Sequence, residues 1–479
     1  MNSWADSLTP ARMDRVAVVA PRAVLRDALV CVADAGCVEL DGAGEPGHGR
    51  PGPAARRLQA LGPGPVRPLL SATAPDLDAL GAAGRADLLA GEAQLEAYRE
   101  AAVRHGTVAA LAGWCPAAEV PRLSARLAYT GGALVPLRAP RGIDPPTRLR
   151  DTSTVRRSLV PLVRTYGTVP YADVDPTVPA GIAYVAMFGM MFGDAGHGLL
   201  LLLGALLLRT GRPRRLASLR PVWPFLAGAG VTSTLAGLAY GEFFGPTGVL
   251  PVLWLNPLDE PLRLLAAAIA VGAVLLALAY AAGIVNRWRE GGPSRALYAA
   301  SGIAGAAVFL GLALLAAGTA GHARVLAAGG ALLALAGLAL AGTGLFTASG
   351  GGASGALQTG VQLFDVVIRI GSNTVSFARL AAFGLTHAAL GAIVWQGTTA
   401  LTGSGPAGVV AGCLVLLLGN ALAFALEALV AGVQALRLEF YELFSRVFDA
   451  EGRPFRPWHV PTQAPSVPPA TPPAMEVTT

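Results

Sequence analysis

The sequence contains no lysine, so all 36 of its basic residues are arginine. It is also short of charge of either sign, because charged residues make up only 14% of the chain, compared with roughly 25% in soluble domains. Hydrophobic residues make up 53%, and the mean hydropathy is +0.53. This shortage of charge excludes an ordinary soluble protein. It predicts a polytopic α-helical membrane protein that has the lipid membrane as a partner.

The arginines are scattered between apolar runs and form no basic face, so we expect no nucleic-acid partner. The four cysteines, Cys31, Cys37, Cys115 and Cys413, stand in neither a CxxC motif nor a paired metal spacing. We therefore expect reduced cysteines in a bacterial cytosol or membrane, and we predict no metal site and no cofactor. The first 25 residues are charged and interrupted by prolines, unlike a secretory signal peptide.

The chain divides into three zones by composition. Residues 1–172 have soluble character and predict a small α+β cytoplasmic N-terminal domain. Within it, MDRVAVVAP, AVLRDALVCVADAG and CVELDG predict a strand, a helix and a strand in a βαβ-like unit, and the Gly/Pro-rich residues 41–68 predict a loop. Residues 173–450 consist of apolar runs. The Pro- and Thr-rich tail, residues 451–479, is predicted to be disordered.

The apolar runs are long enough to cross a bilayer, which takes about 20 residues in a helix. Six runs stand out, at residues 222–246, 262–286, 296–318, 325–346, 358–400 and 406–448. The last two exceed the thickness of the hydrocarbon core, which predicts two long C-terminal helices that tilt steeply or protrude. A further apolar segment, residues 175–208, has the length of one long helix or of two short ones.

The arginine-rich connections decide between these two alternatives. Residues 209–220 and 286–295 are the basic loops, and both are expected to be cytoplasmic. Because the N-terminal domain is also expected in the cytoplasm, an even number of crossings must separate it from residue 209. We therefore predict two helices, 175–193 and 196–208, joined by a turn at the glycine-rich FGDAGHG. The total is about eight transmembrane helices, with both termini in the cytoplasm.

Three ionisable residues interrupt the last two apolar runs, where a charge is costly. Arg379 lies far from either end of its run, and His387 follows it by eight residues, on roughly the same helix face. Glu427 has no other charged residue within nine positions. Arg379 also has two structural alternatives, a pair with another helix or a side chain that extends to the membrane interface, and its position in the middle of the run argues against the second. The structural alternative for His387 is a hydrogen bond in the bundle interior. The isolation of Glu427 favours a functional carboxylate.

Five blocks, in order, resemble the membrane subunit of vacuolar/archaeal-type (V/A-type) rotary ATPases, called subunit I in prokaryotes and equivalent to subunit a of the eukaryotic V-ATPase. They are YGTVPYADVDPT, MFGMMFGDAGHG, GLAYGEFFG, SNTVSFARLAAFGLTHAAL and ALEALVAGVQALRLEFYELFSRVF. GWCP and MDRVAVV are weaker matches in the N-terminal domain. The similarity extends from about Met13 to Phe455. The family's soluble arm is usually longer, so we expect a shortened stator arm here.

The resemblance implies a stator subunit without a catalytic site of its own. In that family the arginine matching Arg379 faces a buried carboxylate on each rotor subunit, promotes loss of its proton and blocks proton leakage. His387 is a candidate proton relay because histidine titrates near neutral pH, and the family often has histidine at this position. The resemblance places Glu427 in the outer half-channel, while Arg437 matches a second arginine that supports Arg379 or fixes its helix. Asp365 is a candidate for the inner half-channel, or else pairs with the arginine four residues further on. The implied partners are the rotor ring of proteolipid subunits, peripheral-stalk subunits of the E/G type and a central-stalk cap subunit of the C/d type.

Further polar residues are candidates for lining the proton path: Ser372, Asn373, Ser376, Gln434, Asp194, His197 and Glu242. For Asp194 and His197 we expect capping of the helical turn, with a proton role as the alternative. Glu242 stands at a helix end, where it is expected to contact loops or to take part in proton transfer. Gln434 occupies a position at which some relatives carry histidine.

Two rival interpretations stay open. A stand-alone secondary transporter with a polar site at the membrane midplane would have internal repeats and broken helices in both halves, whereas this sequence has one broken pair and no repeat. A purely structural anchor is disfavoured by Arg379 and Glu427. The motif FGDAGHG is followed by no Walker lysine, so the chain is not expected to bind ATP. The sequence does not fix whether the ion is H⁺ or Na⁺, because the ion-binding carboxylate belongs to the rotor.

Overall fold

The structure is a computed structural model that describes residues 9–42, 51–62, 64–140, 142–150, 153–211, 214–448 and 451–463. These residues form two compact units. The soluble unit consists of residues 11–148 and 453–463, and the membrane unit consists of residues 9–10 and 149–452. The first boundary therefore lies at residues 148–149 and not at the predicted residue 172.

The soluble unit is built on a five-stranded sheet. Its elements up to residue 136 are β1 (Met13–Pro21), α1 (Leu25–Ala35), β2 (Glu39–Leu40), α2 (Pro53–Ala60), β3 (Leu70–Ser71), α3 (Leu77–Ala82), α4 (Ala86–Ala101), β4 (Val103–His105), β5 (Val108–Pro116), α5 (Val120–Tyr129) and β6 (Ala133–Pro136). The strand order is β2-β5-β1-β6, with β4 paired to β5 outside this path. All of these pairs are antiparallel.

The predicted strand–helix–strand order of residues 13–42 is confirmed, but its two strands are not neighbours. β1 and β2 run in the same direction because each is antiparallel to β5, which lies between them. The second half, β5–α5–β6, is interleaved in the same way, which gives a split βαβ arrangement. Helix α1 closes the core by burying Ala28, Leu29 and Val32. Helix α2 lies inside the predicted loop.

The C-terminal segment is not disordered throughout, contrary to the prediction for residues 451–479. Strand β7 (Thr462–Gln463) pairs in parallel with β3, and Trp458 is 7% exposed. The Trp458 ring lies 4.4 Å from the ring of Tyr98, and its indole N–H donates to Gln94 Oε1 at 3.0 Å. The prediction of disorder rested on the average composition of the segment, and a single buried aromatic residue inside the Pro-rich stretch is enough to order part of it. Residues 464–479 lie outside the described residues.

The membrane unit is helical. Its elements are α6 (Thr154–Tyr166), α7 (Thr177–Met191), α8 (Ala195–Thr210), a 3₁₀ segment (Arg214–Val222), α9 (Trp223–Tyr240), α10 (Pro261–Tyr298), α11 (Ile303–Ala320), α12 (Arg324–Ala348), α13 (Gly352–Ser376), α14 (Ala378–Thr402), α15 (Pro406–Leu438), a π-helical segment (Glu439–Phe444) and α16 (Ser445–Val447). Helix α6 belongs here because Val160 and Val163 are buried in the core of this unit, which explains why the boundary precedes residue 172.

Among the described residues, six helical segments are long and apolar enough to cross a membrane: Arg215–Tyr240, Pro261–Tyr298, Ile303–Ala320, Arg324–Ala348, Gly352–Thr402 and Pro406–Val447. Helices α7 and α8 are apolar but shorter. They confirm that residues 175–208 form two helices with a break at the glycine-rich turn. The number of eight crossings and the cytoplasmic termini stay predictions. The predicted loop 286–295 instead continues α10, which is interrupted at Gly292, where φ is 71°.

The two C-terminal segments are the longest of these six. Helices α13 and α14 join at Phe377, whose φ of −71° and ψ of −12° are helical, so Gly352–Thr402 forms a segment of 51 residues. Helix α15 continues through the π-helical segment and α16 into a segment of 42 residues. Phe377 is fully buried, and its ring fills the space beside Gly272, where a side chain would collide with it. This contact fixes the start of α14, and therefore Arg379, against α10.

Candidate functional site

Arg379 lies in the first turn of α14, two residues after the buried Phe377. Its Nη2 donates to Oε1 of Glu442 at 2.8 Å, and its Nε donates to the Ser376 carbonyl oxygen at 3.1 Å. The Arg379 side chain is 25% exposed and that of Glu442 is 8% exposed. The pairing with another helix, which the sequence offered as an alternative, is therefore present. The guanidinium nevertheless keeps an open side.

That open side lines a groove of about 560 Å³, which we call the arginine groove. Its lining residues are Ser372, Asn373, Ser376, Arg379, Val433, Leu436, Arg437, Phe440, Tyr441 and Glu442. The structure thus brings Arg437 and three of the predicted polar lining residues into one groove with Arg379. Two guanidinium groups and one carboxylate give the groove an excess of positive charge, which favours an incoming anionic group.

Helix α13 carries a polar stripe that ends at this groove. Asp365, Arg369, Ser372 and Ser376 follow one another at intervals of four, three and four residues, which places them on one helix face. The Asp365 carboxylate contacts the Arg369 guanidinium, and both side chains are more than half exposed. The salt-bridge alternative for Asp365 is therefore realised, and the stripe places the pair on the same face as the residues of the groove.

A second group of ionisable residues lies apart from the groove. It consists of Asp194, His197, Glu242, His387 and Glu427, and we call it the histidine cluster; the first four are buried, and the Glu427 side chain is 15% exposed. His387 is 5% exposed, its Nδ1 contacts the carboxylate of Glu427, and its Nε2 lies 3.9 Å from Oε2 of Glu242. The histidine therefore lies between two carboxylates, one at each ring nitrogen.

Asp194 caps α8, as the sequence predicted. Its Oδ1 accepts from the backbone N–H groups of His197 at 2.9 Å and Phe244 at 3.1 Å, and its Oδ2 accepts from that of Gly245 at 2.8 Å. The two donors after α9 depend on a tight turn, in which φ is 53° at Phe244 and 94° at Gly245. A positive φ at a bulky non-glycine residue is strained. The GEFFG motif therefore serves to hold the Asp194 carboxylate.

His197 does not cap the helix through its side chain. It is 2% exposed, and both of its ring nitrogens are without a hydrogen-bond partner among the described residues. The ring lies 5.6 Å from the ring of His387 and 5.5 Å from that of Phe192, measured between centroids. Glu242 is 4% exposed and its Oε2 lies 3.9 Å from Nε2 of His387; of the two alternatives for this residue, loop contact and a proton role, the proton role stays a prediction.

Sequence reasoning missed two carboxylates at the C-terminal end of α15. Glu442 pairs with Arg379, and Glu439 is fully buried with neither carboxylate oxygen hydrogen-bonded within the described part of the chain. Both lie in the π-helical segment, a deviation that is frequent at functional sites. The sequence signal that could have identified them is a pair of acidic residues, Glu439 and Glu442, three positions apart directly after an apolar helix. Gln434, predicted to line the path, has a buried Oε1 but lies outside both the groove and the cluster.

The block YGTVPYADVDPT has a structural role. Asp175 is fully buried, and its Oδ2 accepts from Nη1 of Arg156 at 2.6 Å. Its Oδ1 accepts from the backbone N–H of Thr177 at 2.9 Å, at the start of α7. Asn286 of α10 accepts from the Val174 N–H at 2.9 Å. These contacts join α6, α7 and α10 and thereby position the helix that ends beside the histidine cluster.

Comparison with known proteins agrees with the resemblance. Residues 99–221 match the V-type ATPase 116kDa subunit family. The A-type ATP synthase subunit I of Halobacterium salinarum is 30% identical over 385 residues, which cover 66% of this chain and 52% of that protein. The protein of the same name from Thermococcus kodakarensis is 28% identical over 372 residues, covering 73% and 54%. V-type ATP synthase subunit I 2 of Treponema pallidum is 37% identical over 146 residues, covering 28% and 32%.

The chain is similar to subunit I of the A/V-type ATP synthases. It spans about half the length of the archaeal relatives it matches. Together with the six described helical segments that are long and apolar enough to cross a membrane, this similarity supports a multi-pass membrane protein. The roles of the individual residues stay proposals, and so do the bacterial origin and the orientation of the termini.

Proposed function

We propose that this chain is the stator membrane subunit of a rotary V/A-type proton-translocating ATPase or ATP synthase, in which it forms the two proton half-channels against the rotor ring. The observation that carries this proposal is the arginine groove. An undischargeable guanidinium, one quarter exposed, faces an open groove between two long apolar helices of a chain similar to subunit I. Such a group suits repeated encounters with a carboxylate on a moving partner.

At the groove, Arg379 promotes ionisation of a rotor carboxylate. A carboxylic acid that faces lipid keeps its proton because the charged form is costly there, and an adjacent guanidinium favours the carboxylate. Glu442 already occupies one edge of Arg379. When the rotor carboxylate leaves, Glu442 replaces it as the partner of the guanidinium. This exchange lets Arg379 attract each carboxylate without holding it permanently.

The histidine cluster is the outer half-channel in this proposal. His387 presents Nδ1 to Glu427 and Nε2 to Glu242. An imidazole takes up a proton at one ring nitrogen and releases another from the opposite nitrogen, so it can pass protons between two carboxylates without leaving its place. Because Arg379 and His387 are eight residues apart on α14, the relay and the groove lie on roughly one helix face.

The polar stripe of α13 is the inner half-channel. Asp365 lies eleven residues, or about three turns, before Ser376 at the groove. Ser372 and Asn373, which lie between Asp365 and Ser376 in the sequence, line the groove. Water held along this stripe would connect the Asp365 end with Arg379. The Asp365–Arg369 pair is exposed, so its salt bridge is weak enough for the carboxylate to take part in proton exchange.

The remaining partners follow from the same proposal. The soluble unit would bind peripheral-stalk subunits of the E/G type, and a central-stalk cap subunit of the C/d type would approach the rotor. The complex would lie in a cell membrane with both termini of this chain in the cytoplasm. A stand-alone secondary transporter is the second candidate, and similarity to an ATP synthase subunit argues against it.

Affinity purification of the chain from its native membrane tests the proposal directly. We expect a membrane proteolipid, stalk subunits and ATPase subunits to co-purify, as identified by mass spectrometry. The reconstituted assembly should acidify vesicles when ATP is supplied. A chain that purifies alone and moves a small solute across vesicles would contradict the stator function and support the transporter.

A further inference from the structure

Two buried histidines face each other in the membrane unit, and one of them lacks hydrogen bonds. The rings of His197 and His387 are 5.6 Å apart between centroids, and the residues are 2% and 5% exposed. Neither ring nitrogen of His197 has a hydrogen-bond partner in the described part of the chain. Asn420 lines the same cavity and donates one amide hydrogen to the Leu416 carbonyl oxygen at 2.9 Å, and Oδ1 of Asp194 lies 3.9 Å from Nδ1 of His197, beyond hydrogen-bond distance. A buried imidazole without hydrogen bonds is costly, and a bound ligand at its ring nitrogens would remove that cost.

Carboxylates lie beside both rings: Asp194 next to His197, and Glu242 and Glu427 next to His387. One ligand atom from each of Asp194, His197 and His387 lies within 4.8 Å of the others. Glu242 Oε2 is 3.9 Å from Nε2 of His387. We propose that Asp194, His197, Glu242 and His387 form a binding site for a divalent transition-metal ion of the zinc class. The sequence predicted no metal site, because these residues come from separate segments between positions 194 and 387.

The donor set favours zinc over harder cations. Two imidazole nitrogens and two carboxylate oxygens match the nitrogen and oxygen ligands and the four-fold coordination of Zn²⁺, whereas Ca²⁺ and Mg²⁺ need six or more oxygens. Neighbouring ligand atoms in a tetrahedral zinc site are about 3.3 Å apart. The ligand atoms of Asp194, His197 and His387 lie within 4.8 Å of one another, and Glu242 Oε2 lies 3.9 Å from Nε2 of His387, so side-chain rotations would have to bring the four donors to this spacing.

Each carboxylate has capacity left for a metal ion. Asp194 accepts three backbone hydrogen bonds, and an ionised carboxylate offers about four acceptor positions. One position therefore remains, and it belongs to an oxygen held firmly by the turn after α9. The second carboxylate, that of Glu242, has its Oε2 at 3.9 Å from Nε2 of His387. A dication would also offset the negative charge that Asp194, Glu242 and Glu427 place in a buried site.

Glu427 completes the site from outside. Its carboxylate contacts Nδ1 of His387 and so directs Nε2 toward Glu242. A histidine ligand usually has such a carboxylate on its second nitrogen, which fixes the ring and strengthens the metal bond. Loss of this kind of support lowers metal affinity by about 10- to 100-fold. The arrangement thus supplies both the ligands and the group that orients one of them.

A metal ion at this position would block His387 as a proton relay, because the metal would take the Nε2 lone pair. This consequence rests on the proposed function, whereas the metal site itself does not. The test therefore measures metal binding first and proton flow separately.

The binding experiment uses the full chain in detergent, with a purification tag that contains no histidine. After treatment with a chelator, the chain is dialysed against Zn²⁺ and its metal content is measured. Co²⁺ serves as a second probe, because its visible spectrum reports tetrahedral nitrogen coordination. We expect one ion per wild-type chain, and an affinity at least about ten-fold lower for His197→Gln, His387→Gln and Glu427→Gln.

The matched control is His322→Asn. His322 is exposed between α11 and α12, and asparagine tolerates its φ of 55°. This variant should bind zinc like the wild type. Equal zinc binding by wild type and by the double variant His197→Gln/His387→Gln would overturn the site, and so would the absence of any bound ion, provided that all proteins elute as monodisperse peaks.

Proton flow in the assembled complex then separates the two proposals. Inhibition by zinc that disappears in His197→Gln supports the metal site and the outer half-channel together. Histidine-dependent zinc binding without inhibition supports the metal site and contradicts the relay role of His387.

Discussion

Two arginine–carboxylate pairs of this chain have similar geometry and different surroundings. In the membrane unit, Arg379 Nη2 lies 2.8 Å from Glu442 Oε1, and the side chains are 25% and 8% exposed. In the soluble unit, Arg126 Nη2 lies 2.6 Å from Asp34 Oδ2, and the side chains are 37% and 43% exposed. Water and salt screen the second pair, which is therefore worth at most about 1 kcal/mol. The first pair lies among apolar helices, where each charge depends on its partner.

The comparison shows that the distance between two charges says little about their importance. In an exposed pair either partner can be solvated by water, so the pair is dispensable. Between apolar helices, no water replaces the arginine for a carboxylate that has lost it. Arg379 can nevertheless exchange Glu442 for a second carboxylate, which is the exchange we propose for the rotor. The predictions below separate these two kinds of pair, beginning with the largest effect.

The largest effect is expected for Arg379→Lys. Lysine is a compact ammonium whose charge is lost more easily on burial, and it cannot contact Glu442 and an incoming carboxylate with one planar group. We expect ATP-driven proton pumping by reconstituted vesicles to fall by at least about ten-fold, which corresponds to 1.4 kcal/mol. Subunit content, measured on the same sample, should not change.

The matched control for this prediction is Arg263→Lys. Arg263 is 74% exposed at the start of α10 and pairs with Glu260 at 2.9 Å. Its replacement should leave pumping unchanged. If the Arg379→Lys complex pumps protons at the same rate as the Arg263→Lys control, Arg379 has only a structural role. The two kinds of pair would then not differ in function.

A smaller loss of pumping is expected for His387→Ala and Glu427→Gln. Both changes interrupt the contact between the imidazole and its carboxylate, but bound water can carry part of the proton flow in their place. The initial rate of vesicle acidification should fall in each variant, with less effect than Arg379→Lys and with the complex still assembled. The double variant should be no slower than the slower single variant, since both residues act in one step. Wild-type rates in both single variants would refute the outer half-channel.

Asp194→Ala is expected to affect stability more than transport. The substitution removes one acceptor from three backbone N–H groups, including the cap of α8. The loss of a helix cap costs about 0.5–2 kcal/mol, and the buried donors add to that cost. The thermal unfolding midpoint of the chain in detergent should fall by about 2 °C or more. Asp194→Asn keeps one carbonyl acceptor and should lie between alanine and wild type, whereas equal midpoints for all three would contradict the capping role.

The sequence was sufficient for features that depend on neighbouring residues. It predicted the two helices at residues 175–208 and the cap at Asp194, because glycines and a polar residue interrupt an apolar run. It also singled out Arg379, His387 and Glu427, because a charge in such a run is conspicuous.

Contacts between distant segments could not be predicted in this way. Glu242 and His387 are 145 positions apart in the sequence, and their proximity depends on the strained turn after α9. In the sequence, Glu442 is an acidic residue near a helix end, a common and uninformative position. In the structure it lies in the π-helical segment and accepts a hydrogen bond from Arg379. The insertion of β5 between β1 and β2, and the burial of Trp458, likewise depend on long-range packing.

The smallest effect is expected for Asp34→Asn in the soluble unit. Hydrogen bonds from Arg126 and then from Thr462 lower the pKa of Asp34 from its ordinary value of 3.8. A carboxylate with a lowered folded-state pKa stabilises the fold above its unfolded pKa, and this contribution disappears as the pH falls through the folded pKa. Asp34→Asn should therefore destabilise the contact with Thr462 at pH 7, by less than about 1 kcal/mol. The difference from wild type should shrink below pH 3.8.

Amide hydrogen exchange in the full chain measures this effect at β7, because Asp34 Oδ1 accepts from the Thr462 hydroxyl at 2.8 Å. The ratio of exchange rates between variant and wild type removes the intrinsic dependence of exchange on pH. Arg126→Gln should give a similar ratio at pH 7, and added salt should bring both ratios toward one, because the pair is exposed. A ratio that grows as the pH falls would contradict the role of the Asp34 carboxylate. A ratio that salt leaves unchanged would show that this pair is shielded from solvent, like the pair of Arg379 and Glu442.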